Sequence, residues 1–400
     1  MKEGSGFSRR VLAALAAAFM LGSIFTLGGQ KLWSLWQGAP SVSPEMAAKI
    51  AELEELINAH YLFDVDAEDA ANAAAAGLSD ALDQYSIYRT SEEYEAFQDH
   101  NNGDMCGIGI TVSQYEEDAL TVLYLSDGSP AEGILEAGDE IVAVEGQQVA
   151  EAGYQQAVSL VRGTAGTNVR LTVRRGDEIF DATVTRADIV DAGIHGEIYG
   201  NIGYVKVSAF NNATPEAFYN TVYDQIDAGV EGLVFDLRGN GGGLLTSVTG
   251  MLDFLLPEGD LVSRTDKEGK TTVMYTSGAS CIDLPMAVLV NGSTASAAEL
   301  FACDLQEYGV AVVVGTQTYG KGVMQTTYEL SDGSSLTLTT DYYNPMSGQN
   351  YNGEGVTPDI VVEMTEEEQE NYRLLDPERD PQLKAALEAL GWPALIPPSD

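Results

Sequence analysis

The chain of 400 residues is too long for one small domain, and its length predicts two or three domains. It carries 61 acidic but only 20 basic residues, a formal net charge of -41. A surface with this charge repels phosphate backbones, which argues against nucleic-acid binding, and its simplest role is solubility.

The cysteines and histidines are few and scattered, with no C-x-x-C pair and no H-E-x-x-H motif. This pattern argues against a zinc site and against a metalloprotease, so no metal site is predicted. At least one cysteine must stay unpaired, because the number of cysteines is odd. These residues are Cys106, Cys281, Cys303, His60, His100 and His195.

The amino-terminal region predicts membrane attachment. Residues 1–10 include three basic side chains and precede an apolar run from Val11 to about Leu27. That run is longer than a typical signal-peptide core and barely long enough to span a bilayer, and no clear A-x-A cleavage site follows it. The basic flank favours a cytoplasmic amino terminus and an exported body. We therefore predict an uncleaved signal anchor over 11–30, with a cleaved signal peptide or a buried helix as the alternatives.

Five further regions follow the predicted anchor. Residues 31–44 form a linker that ends in a Gly-, Pro- and Ser-rich stretch. Residues 45–102 show helical apolar spacing, which fits either a small bundle or a dimerisation arm. Residues 103–187 show short alternating strands between Gly and Asp turns and predict a β-rich module. In residues 188–365 strands and helices alternate, which predicts an α/β core, and residues 366–400 form an acidic, weakly helical tail.

Within the predicted α/β core, short apolar runs suited to buried strands alternate with helical stretches. Ser331–Ser334 has the composition of a hairpin turn. The predicted strands are Val230–Phe235, Met286–Val290 and Val310–Val314, and the predicted helices are Pro215–Ala228, Leu244–Leu256 and Ala297–Tyr308.

Ser296 lies where a predicted buried strand gives way to a predicted helix. Backbone N–H groups and the positive end of the helix dipole at such a position suit both a nucleophilic oxygen and a developing oxyanion. However, Ser296 and Glu299 have the spacing of a capping box. This motif alone therefore leaves catalysis and helix capping open.

Lys321 is the candidate base for a serine nucleophile, because the chain has no G-x-S-x-G elbow and few histidines. A free lysine amine has a pKa of about 10.4 and acts near neutral pH only if burial lowers that pKa by roughly 3 units. Glycines on both sides of Lys321 allow close backbone approach. The preceding G-x-x-x-x-G-K pattern mimics a phosphate-binding loop, but Gly322 replaces the metal-binding Ser or Thr, which argues against nucleotide binding. Taken alone, Lys321 also fits an ordinary surface loop.

The third element is the sequence D-L-R-G-N-G-G-G from Asp236 to Gly243, whose glycines can point N–H groups into a cleft or simply form a tight turn. The three elements together, in this order, resemble the carboxyl-terminal processing (tail-specific) protease family. The resemblance extends from about Glu45 to Val362. The stretch D-Q-Y-S-I-Y that begins at Asp83 also resembles the family's D-P-Y-S-x-Y, with glutamine in place of proline.

The resemblance implies a crotonase-like or Clp-like α/β protease core and assigns roles to five residues. Ser296 would be the nucleophile, Lys321 its general base, and Gln325 the residue that orients the lysine. The backbone N–H groups of Gly242 and Ala297 would form the oxyanion hole. No metal or other cofactor is implied.

The β-rich module resembles a PDZ domain inserted into the protease. The loop of Gly107, Ile108, Gly109 and Ile110 is similar to a carboxylate-binding loop, in which successive N–H groups capture a chain terminus beside an added strand. Arg162 matches a position that in relatives links the PDZ domain to the protease, although an exposed arginine without such a role fits the sequence equally well.

The resemblance implies a serine endopeptidase that cleaves proteins near their carboxyl termini through an acyl-enzyme. Its expected partners are protein substrates with apolar C-terminal tails, the membrane through the N-terminal helix and, through residues 45–102, a second copy of the chain. The catalytic body is expected outside the cytoplasm, either on the cell membrane or secreted. The alternatives are a proteolytically inert PDZ adaptor and a small-molecule acyl hydrolase on the same core.

Overall fold

The protein is described here from a computed structural model. The predicted anchor at 11–30 lies outside the described residues. Along the ranges that are described, no helix combines the length and apolarity needed to cross a bilayer. The chain divides into a first unit that ends at Ala71 and a second that begins at Asn72. The structure describes residues 43–113, 118–126, 128–375 and 377–391.

The predicted helical region contains three helices and one strand. Helix α1 (Pro44–His60) belongs to the first unit and begins at Ser43, whose hydroxyl accepts a hydrogen bond from a backbone N–H of the first turn. Helix α2 (Ala67–Ser79) crosses the boundary between the units, and α3 (Ser91–Asn102) belongs to the second. Between α2 and α3 lies strand β1 (Ile87–Arg89), which the helical spacing did not predict.

The β-rich region folds around an antiparallel sheet, as its alternating pattern predicted. In strand β7, for example, Val169, Leu171 and Val173 are buried while Arg170 is exposed. Two short helices, α4 (Val149–Ala152) and α5 (Tyr154–Val161), pack near this sheet. The strands are β2 (Asp104–Gly107), β3 (Ile110–Ser113), β4 (Leu120–Leu125), β5 (Glu140–Val144), β6 (Gln147–Gln148), β7 (Asn168–Arg175), β8 (Glu178–Thr185) and β9 (Ala187–Val190). The sheet order is β3-β4-β5-β7-β8 with β6 beside β5, and β2 pairs separately with β9.

The α/β core is built on a second sheet whose order is β10-β11-β12-β15-β16-β19. Its first two strands are antiparallel, and the rest of the neighbouring pairs are parallel. The strands are β10 (Ile194–Tyr199), β11 (Ile202–Val207), β12 (Gly232–Asp236), β15 (Met286–Val290), β16 (Ala311–Gly315) and β19 (Ile360–Val361). The helices between them are α6 (Thr214–Asp227), α7 (Leu245–Leu255) and α8 (Ala297–Glu307).

Both faces of this central sheet are covered, which explains why its inner strands are continuous apolar runs. In β12, Leu233 and Phe235 pack with α6, α7 and α8, whereas Val234 faces the opposite side. There it meets Leu383 and Leu387 of α10 (Pro381–Ala389), the last described helix. Upstream of α10 lie α9 (Glu366–Asn371) and a 3-10 turn (Tyr372–Leu374).

A third sheet joins distant parts of the chain. Its order is β1-β18-β13-β14, with β17 also paired to β18. Strand β1 runs antiparallel to β18, so Tyr88 lies opposite Leu336. This pairing fixes the segment before β1 beside the loop that precedes β17. The remaining strands are β13 (Gly259–Asp266), β14 (Thr271–Ser277), β17 (Val323–Glu329) and β18 (Ser335–Asn344).

Candidate active site

Three loops meet at one edge of the central sheet, because β12, β15 and β16 are adjacent and parallel and their carboxyl ends lie together. Thr294 in the middle loop connects all three. Its hydroxyl donates to the carbonyl oxygen of Leu237 at 3.0 Å, and its own carbonyl oxygen accepts from the N–H of Tyr319 at 3.0 Å. The predicted serine, lysine and glycine-rich elements are thus neighbours in the fold.

Ser296 has a backbone conformation that is rare for a residue with a side chain. Its φ is +59° and its ψ is -122°, and α8 begins at the next residue. Among the described non-glycine residues only Glu145 also has a positive φ. Such strain persists where the surrounding structure over-determines it, and it is concentrated at functional sites.

The predicted oxyanion-hole residues both lie next to Ser296: Ala297 follows it in the chain, and Gly242 approaches it from the glycine-rich loop. A Cβ placed on Gly242, whose φ is +103°, would lie 2.8 Å from Cβ of Ser296 and 3.0 Å from the nitrogen of Ala297, so only glycine fits there. The N–H of Ala297 donates to no other group in the described part of the chain. The N–H of Gly242 is engaged, because it donates to Oδ1 of Asn240 at 2.8 Å. The N–H of Ala297 is therefore free to bind an oxyanion, whereas the N–H of Gly242 is hydrogen-bonded to the side chain of Asn240.

Glu299 connects the serine loop to the lysine loop through its fully buried side chain. Its Oε2 accepts from the backbone N–H groups of Ser296 and Lys321, each at 2.8 Å. Its Oε1 accepts from the hydroxyl of Thr318 at 2.5 Å and from the N–H of Gly320 at 2.6 Å. The capping-box spacing predicted the first of these bonds, but nothing in the sequence indicated the other three.

Lys321 is half-buried, and its Nζ lies 4.5 Å from the centre of the Tyr85 ring. Burial lowers the pKa of Lys321 from its ordinary value, and the negative charges of Asp83 and Glu299 oppose that shift. Across the described ranges, Nζ makes no hydrogen bond, so none joins it to the hydroxyl of Ser296. The pKa of Lys321 is thus shifted downward, which is the direction that a lysine general base needs.

Gln325, the predicted orienting residue, lies on β17 at a bulge. Its amide nitrogen donates to Oγ1 of Thr339 at 3.1 Å and to the carbonyl oxygen of Val323 at 3.5 Å. Among the hydrogen bonds of the described residues, none joins this amide to Lys321. The connection between the two residues is indirect. Gln325 donates to Thr339, Thr339 donates to Asp83, and Tyr85 in the same segment contacts Lys321.

A buried charge cluster lies behind the glycine-rich loop, and it was not predicted from the sequence. The guanidinium of Arg238 pairs with Asp236 at 2.7 Å and with Asp380 at 2.8 Å. Burial lowers the pKa of Lys206 to about 8 against the opposing effect of Asp236. Nζ of Lys206 donates to the carbonyl oxygen of Arg238 at 2.6 Å, and the hydroxyl of Tyr372 donates to the same oxygen at 2.9 Å. The cluster therefore fixes the start of the loop that carries Gly242.

The predicted carboxylate-binding residues line a cavity of about 230 Å³ between β3 and α5. Within the described chain, the N–H groups of Ile108 and Gly109 donate to no other group. Adjacent open N–H groups of this kind suit a terminal carboxylate. Arg162 is exposed at the rim of the cavity and ends α5, so the structure brings it to the groove. The predicted residues of this loop are Gly107, Ile108, Gly109 and Ile110, and all four line the cavity.

A second arginine, which the sequence did not single out, supports the groove. Arg186 is buried, and it donates to the carbonyl oxygens of Leu160 and Val161 at the end of α5 at 2.8 and 2.9 Å. It also donates to the carbonyl oxygen of Asn168 at the start of β7 at 3.0 Å. Arg186 therefore connects the helix that carries Arg162 to the sheet.

Comparison with protein families finds Peptidase family S41 over residues 201–362 and a PDZ domain over residues 121–175. A probable CtpA-like serine protease of Staphylococcus aureus (strain N315) is 31% identical over 357 residues, which cover 86% of this chain and 72% of that protein. A carboxy-terminal-processing protease of Bartonella bacilliformis is 31% identical over 365 residues, which cover 89% and 83%.

Two solved structures are also similar. A Bacteroides fragilis NCTC 9343 protein assigned to the S41 proteases aligns with a TM-score of 0.55 at 19% identity, over 72% of this chain and 83% of that one. The photosystem II D1 C-terminal processing protease aligns with a TM-score of 0.48 at 27% identity, over 78% and 86%. The first likeness supports the fold.

The α/β core, the PDZ module and these relatives define a serine peptidase that contains a PDZ domain. The chain belongs to Peptidase family S41 and is a carboxy-terminal-processing serine protease. The predictions of fold class, family and peptidase activity are confirmed. The roles of individual residues remain predictions, as do the domain boundaries.

Proposed function

We propose that Ser296 is the nucleophile and Lys321 the general base in cleavage of peptide bonds near the carboxyl ends of proteins. The observation that carries this proposal is the carboxylate of Glu299, which binds the backbone of both residues. A serine at a strained helix start and a lysine whose pKa is lowered by burial are thereby held in one rigid unit.

In the proposed reaction, neutral Lys321 takes the hydroxyl proton of Ser296, and Oγ attacks the carbonyl carbon of the peptide bond. The resulting oxyanion is held by the N–H of Ala297 and by that of Gly242 once the latter leaves Asn240. The lysine returns the proton to the departing amine as the C–N bond breaks. It then takes a proton from the water that attacks the acyl-enzyme, and it returns that proton to Oγ of Ser296 as the ester bond breaks.

Proton transfer requires a rearrangement of Lys321. A general base acts within about 2.6–3.2 Å of the proton donor, whereas Nζ here lies against a ring and is not hydrogen-bonded to Ser296. We assign Gln325 the role of orienting the amine after this movement, since it lies four residues further along the chain, on β17.

The dyad is tested by digesting an unfolded protein that carries an apolar carboxyl tail. Ser296→Ala and Lys321→Ala should each abolish cleavage, and the double variant should be no worse than either single one, because nucleophile and base act as a unit. Ser293→Ala and Lys270→Ala are matched controls on exposed positions and should cleave normally. Substantial cleavage by Lys321→Ala would refute the assignment of the base.

The PDZ module is proposed to bind the apolar carboxyl tails of substrates. The open N–H groups at Ile108 and Gly109 would receive the carboxylate, and buried side chains of the adjacent cavity, Leu120 and Val161, would receive the last side chain. A tail peptide with a free carboxylate should bind, and the same peptide with an amidated end should not, as measured by fluorescence anisotropy.

We further propose that Arg162 couples tail binding to the protease, since it lies at the rim of the groove. Arg162→Ala should reduce cleavage of tailed proteins without reducing tail binding. The control is Arg170→Ala, which removes an exposed arginine of β7 and should change neither cleavage nor binding. Equal loss of binding and cleavage would indicate tethering alone, in which the module only raises local substrate concentration.

We propose that residues 11–30 anchor the enzyme with its catalytic body outside the cytoplasm, on the basis of the apolar run and its basic flank. Fractionation of cells that express the full chain should place it in the membrane. Recovery of a soluble exported form that lacks about the first thirty residues would replace the anchor by a cleaved signal peptide.

We propose that residues 45–102 mediate self-association. Helix α1 has no buried residue, and its large apolar side chains recur at helical spacing. Leu53→Glu should therefore lower the mass measured by sedimentation equilibrium from dimer to monomer, whereas Glu52→Lys on the same helix should not. A monomeric unmodified chain would contradict the proposal. The large exposed apolar residues of α1 are Met46, Ile50, Leu53, Leu56 and Ile57.

A further inference from the structure

The segment Asp83–Ser86 lies beside the lysine loop. It precedes β1 and is fixed to β18 through Thr339. The backbone N–H of Thr339 donates to the hydroxyl of Ser86, and its side chain donates to Oδ1 of Asp83, each at 3.1 Å. Since Gln325 also donates to Thr339, the segment is connected to the strand that follows the lysine.

The same segment also contacts the lysine loop from its other side. The amide of Gln84 donates to the hydroxyl of Tyr319 at 3.4 Å, and the backbone N–H of Tyr85 donates to Oδ1 of Asp83 at 2.8 Å. Tyr319 is itself fixed, because its N–H donates to the carbonyl oxygen of Thr294 beside the serine. Tyr85 is thus held between two anchored neighbours.

The ammonium group of Lys321 packs on the face of the Tyr85 ring. Nζ lies 4.5 Å from the ring centre, within the range of a cation–π interaction. Asp83 and Glu299 are the negative charges that act on Nζ, but in the described chain neither forms an ion pair with it. The hydroxyl of Tyr343 donates to the backbone carbonyl oxygen of Lys321.

We propose that Tyr85 is a positioning residue that retains protonated Lys321 on its ring face and releases the neutral amine toward Ser296. The aromatic face attracts the ammonium but has no comparable attraction for the amine. Loss of the proton therefore removes the contact that keeps Nζ away from the hydroxyl. The inference depends on the proposed role of Lys321 as the base.

The test changes the electrostatics of the ring at nearly constant shape, in the full-length protein. Tyr85→Phe keeps the negative ring face, whereas Tyr85→pentafluorophenylalanine reverses it. Two quantities are measured against pH: the rate at which a fluorophosphonate labels Ser296, and the reactivity of Lys321 toward acetic anhydride, read by mass spectrometry. Placing pentafluorophenylalanine at Tyr328, an exposed residue of β17, controls for the fluorinated side chain.

Each quantity plotted against pH gives a curve whose midpoint reports the pKa of Lys321. We expect Tyr85→Phe to have the same two midpoints as the unmodified protein. Tyr85→pentafluorophenylalanine should move both midpoints to lower pH by roughly 0.5–1 unit. Below the midpoint this shift corresponds to labelling that is roughly 3- to 10-fold faster, because more of the lysine is neutral at a given pH. Tyr85→Leu, whose side chain is apolar but has no aromatic face, should shift the midpoints in the same direction. Melting curves verify that each variant is folded.

The two measurements separate the possible failures. Midpoints that stay unchanged for both Lys321 and Ser296 in the folded fluorinated and leucine variants would overturn the positioning role of Tyr85. A shift in the reactivity of Lys321 without a shift in labelling of Ser296 would overturn the role of the lysine as base, and with it the release step, although the ring contact would stand.

Discussion

Replacing Glu299 with glutamine tests the connection between the serine loop and the lysine loop. The side chain is fully buried and accepts four hydrogen bonds, two on each oxygen. An amide nitrogen cannot accept a hydrogen bond, so in Glu299→Gln two of the donors lose their partner and face N–H groups instead. The shape of the side chain is almost unchanged, which isolates the loss of the acceptor.

The size of the effect follows from those bonds. A hydrogen bond to a charged group contributes about 1.5–3 kcal/mol, so loss of two lowers the free energy of unfolding by about 3–6 kcal/mol. For a domain of this size such a loss lowers Tm by about 10 °C. A displacement of about 1 Å between nucleophile and base costs about 100-fold in rate.

The assay compares purified Glu299→Gln with the unmodified protein and with Glu329→Gln, a change at an exposed position of β17. Calorimetry gives Tm, and the rate of fluorophosphonate labelling at Ser296, measured well below Tm, gives activity. We expect both to fall for Glu299→Gln only. Unchanged labelling in a protein of lowered Tm would refute an alignment of the dyad by Glu299, because it would show that this residue only stabilises the fold.

Three further predictions concern the pH dependence, the glycine-rich loop and the groove. Because burial lowers the pKa of Lys321 and the neutral amine is the active form, labelling of Ser296 should rise with pH through that lowered pKa; a rate that falls over that range would contradict the role of the lysine. Gly242→Ala should lower labelling by roughly 100-fold or more, because the added Cβ would meet Ser296 and Ala297; normal labelling would exclude this loop from the site. Tyr154→Phe should make an apolar tail peptide bind about 5-fold tighter in anisotropy titrations, because the Tyr154 hydroxyl donates a hydrogen bond to the carbonyl oxygen of Val112, an acceptor that a bound strand needs. Equal or weaker binding would show that the hydroxyl does not compete with the peptide.

Local patterns were sufficient to predict the parts of the fold that lie close together in the chain. The strand Met286–Val290 and the start of a helix at Ala297 appear where the apolar run and the capping spacing placed them. The family resemblance assigned the serine and lysine elements to one site, and the adjacent parallel strands β15 and β16 bring them to the same edge of the sheet.

Long-range contacts were not predictable in this way. Strand β1 has three residues, and its partner β18 lies about 250 residues further along the chain, so no local pattern marks the pairing. Likewise, Arg238 and Asp380 lie in loops far apart in the chain, and their attraction depends on burial that only the assembled core provides. Tyr85 was noted as part of a motif, but its position on Lys321 follows from that same pairing of β1 with β18.

The charge cluster behind the glycine-rich loop sets a limit on how the catalytic region can be shortened. The match to the peptidase family ends at residue 362, yet Asp380 pairs with buried Arg238, and Leu383 and Leu387 cover one face of the central sheet. A recombinant fragment that stops at 362 would lose one of the two carboxylates that pair with buried Arg238 and would expose an apolar sheet face to water. The smallest catalytic fragment suitable for crystallisation or for fusion to a C-terminal tag should therefore include helix α10 and begin its linker after Ala389.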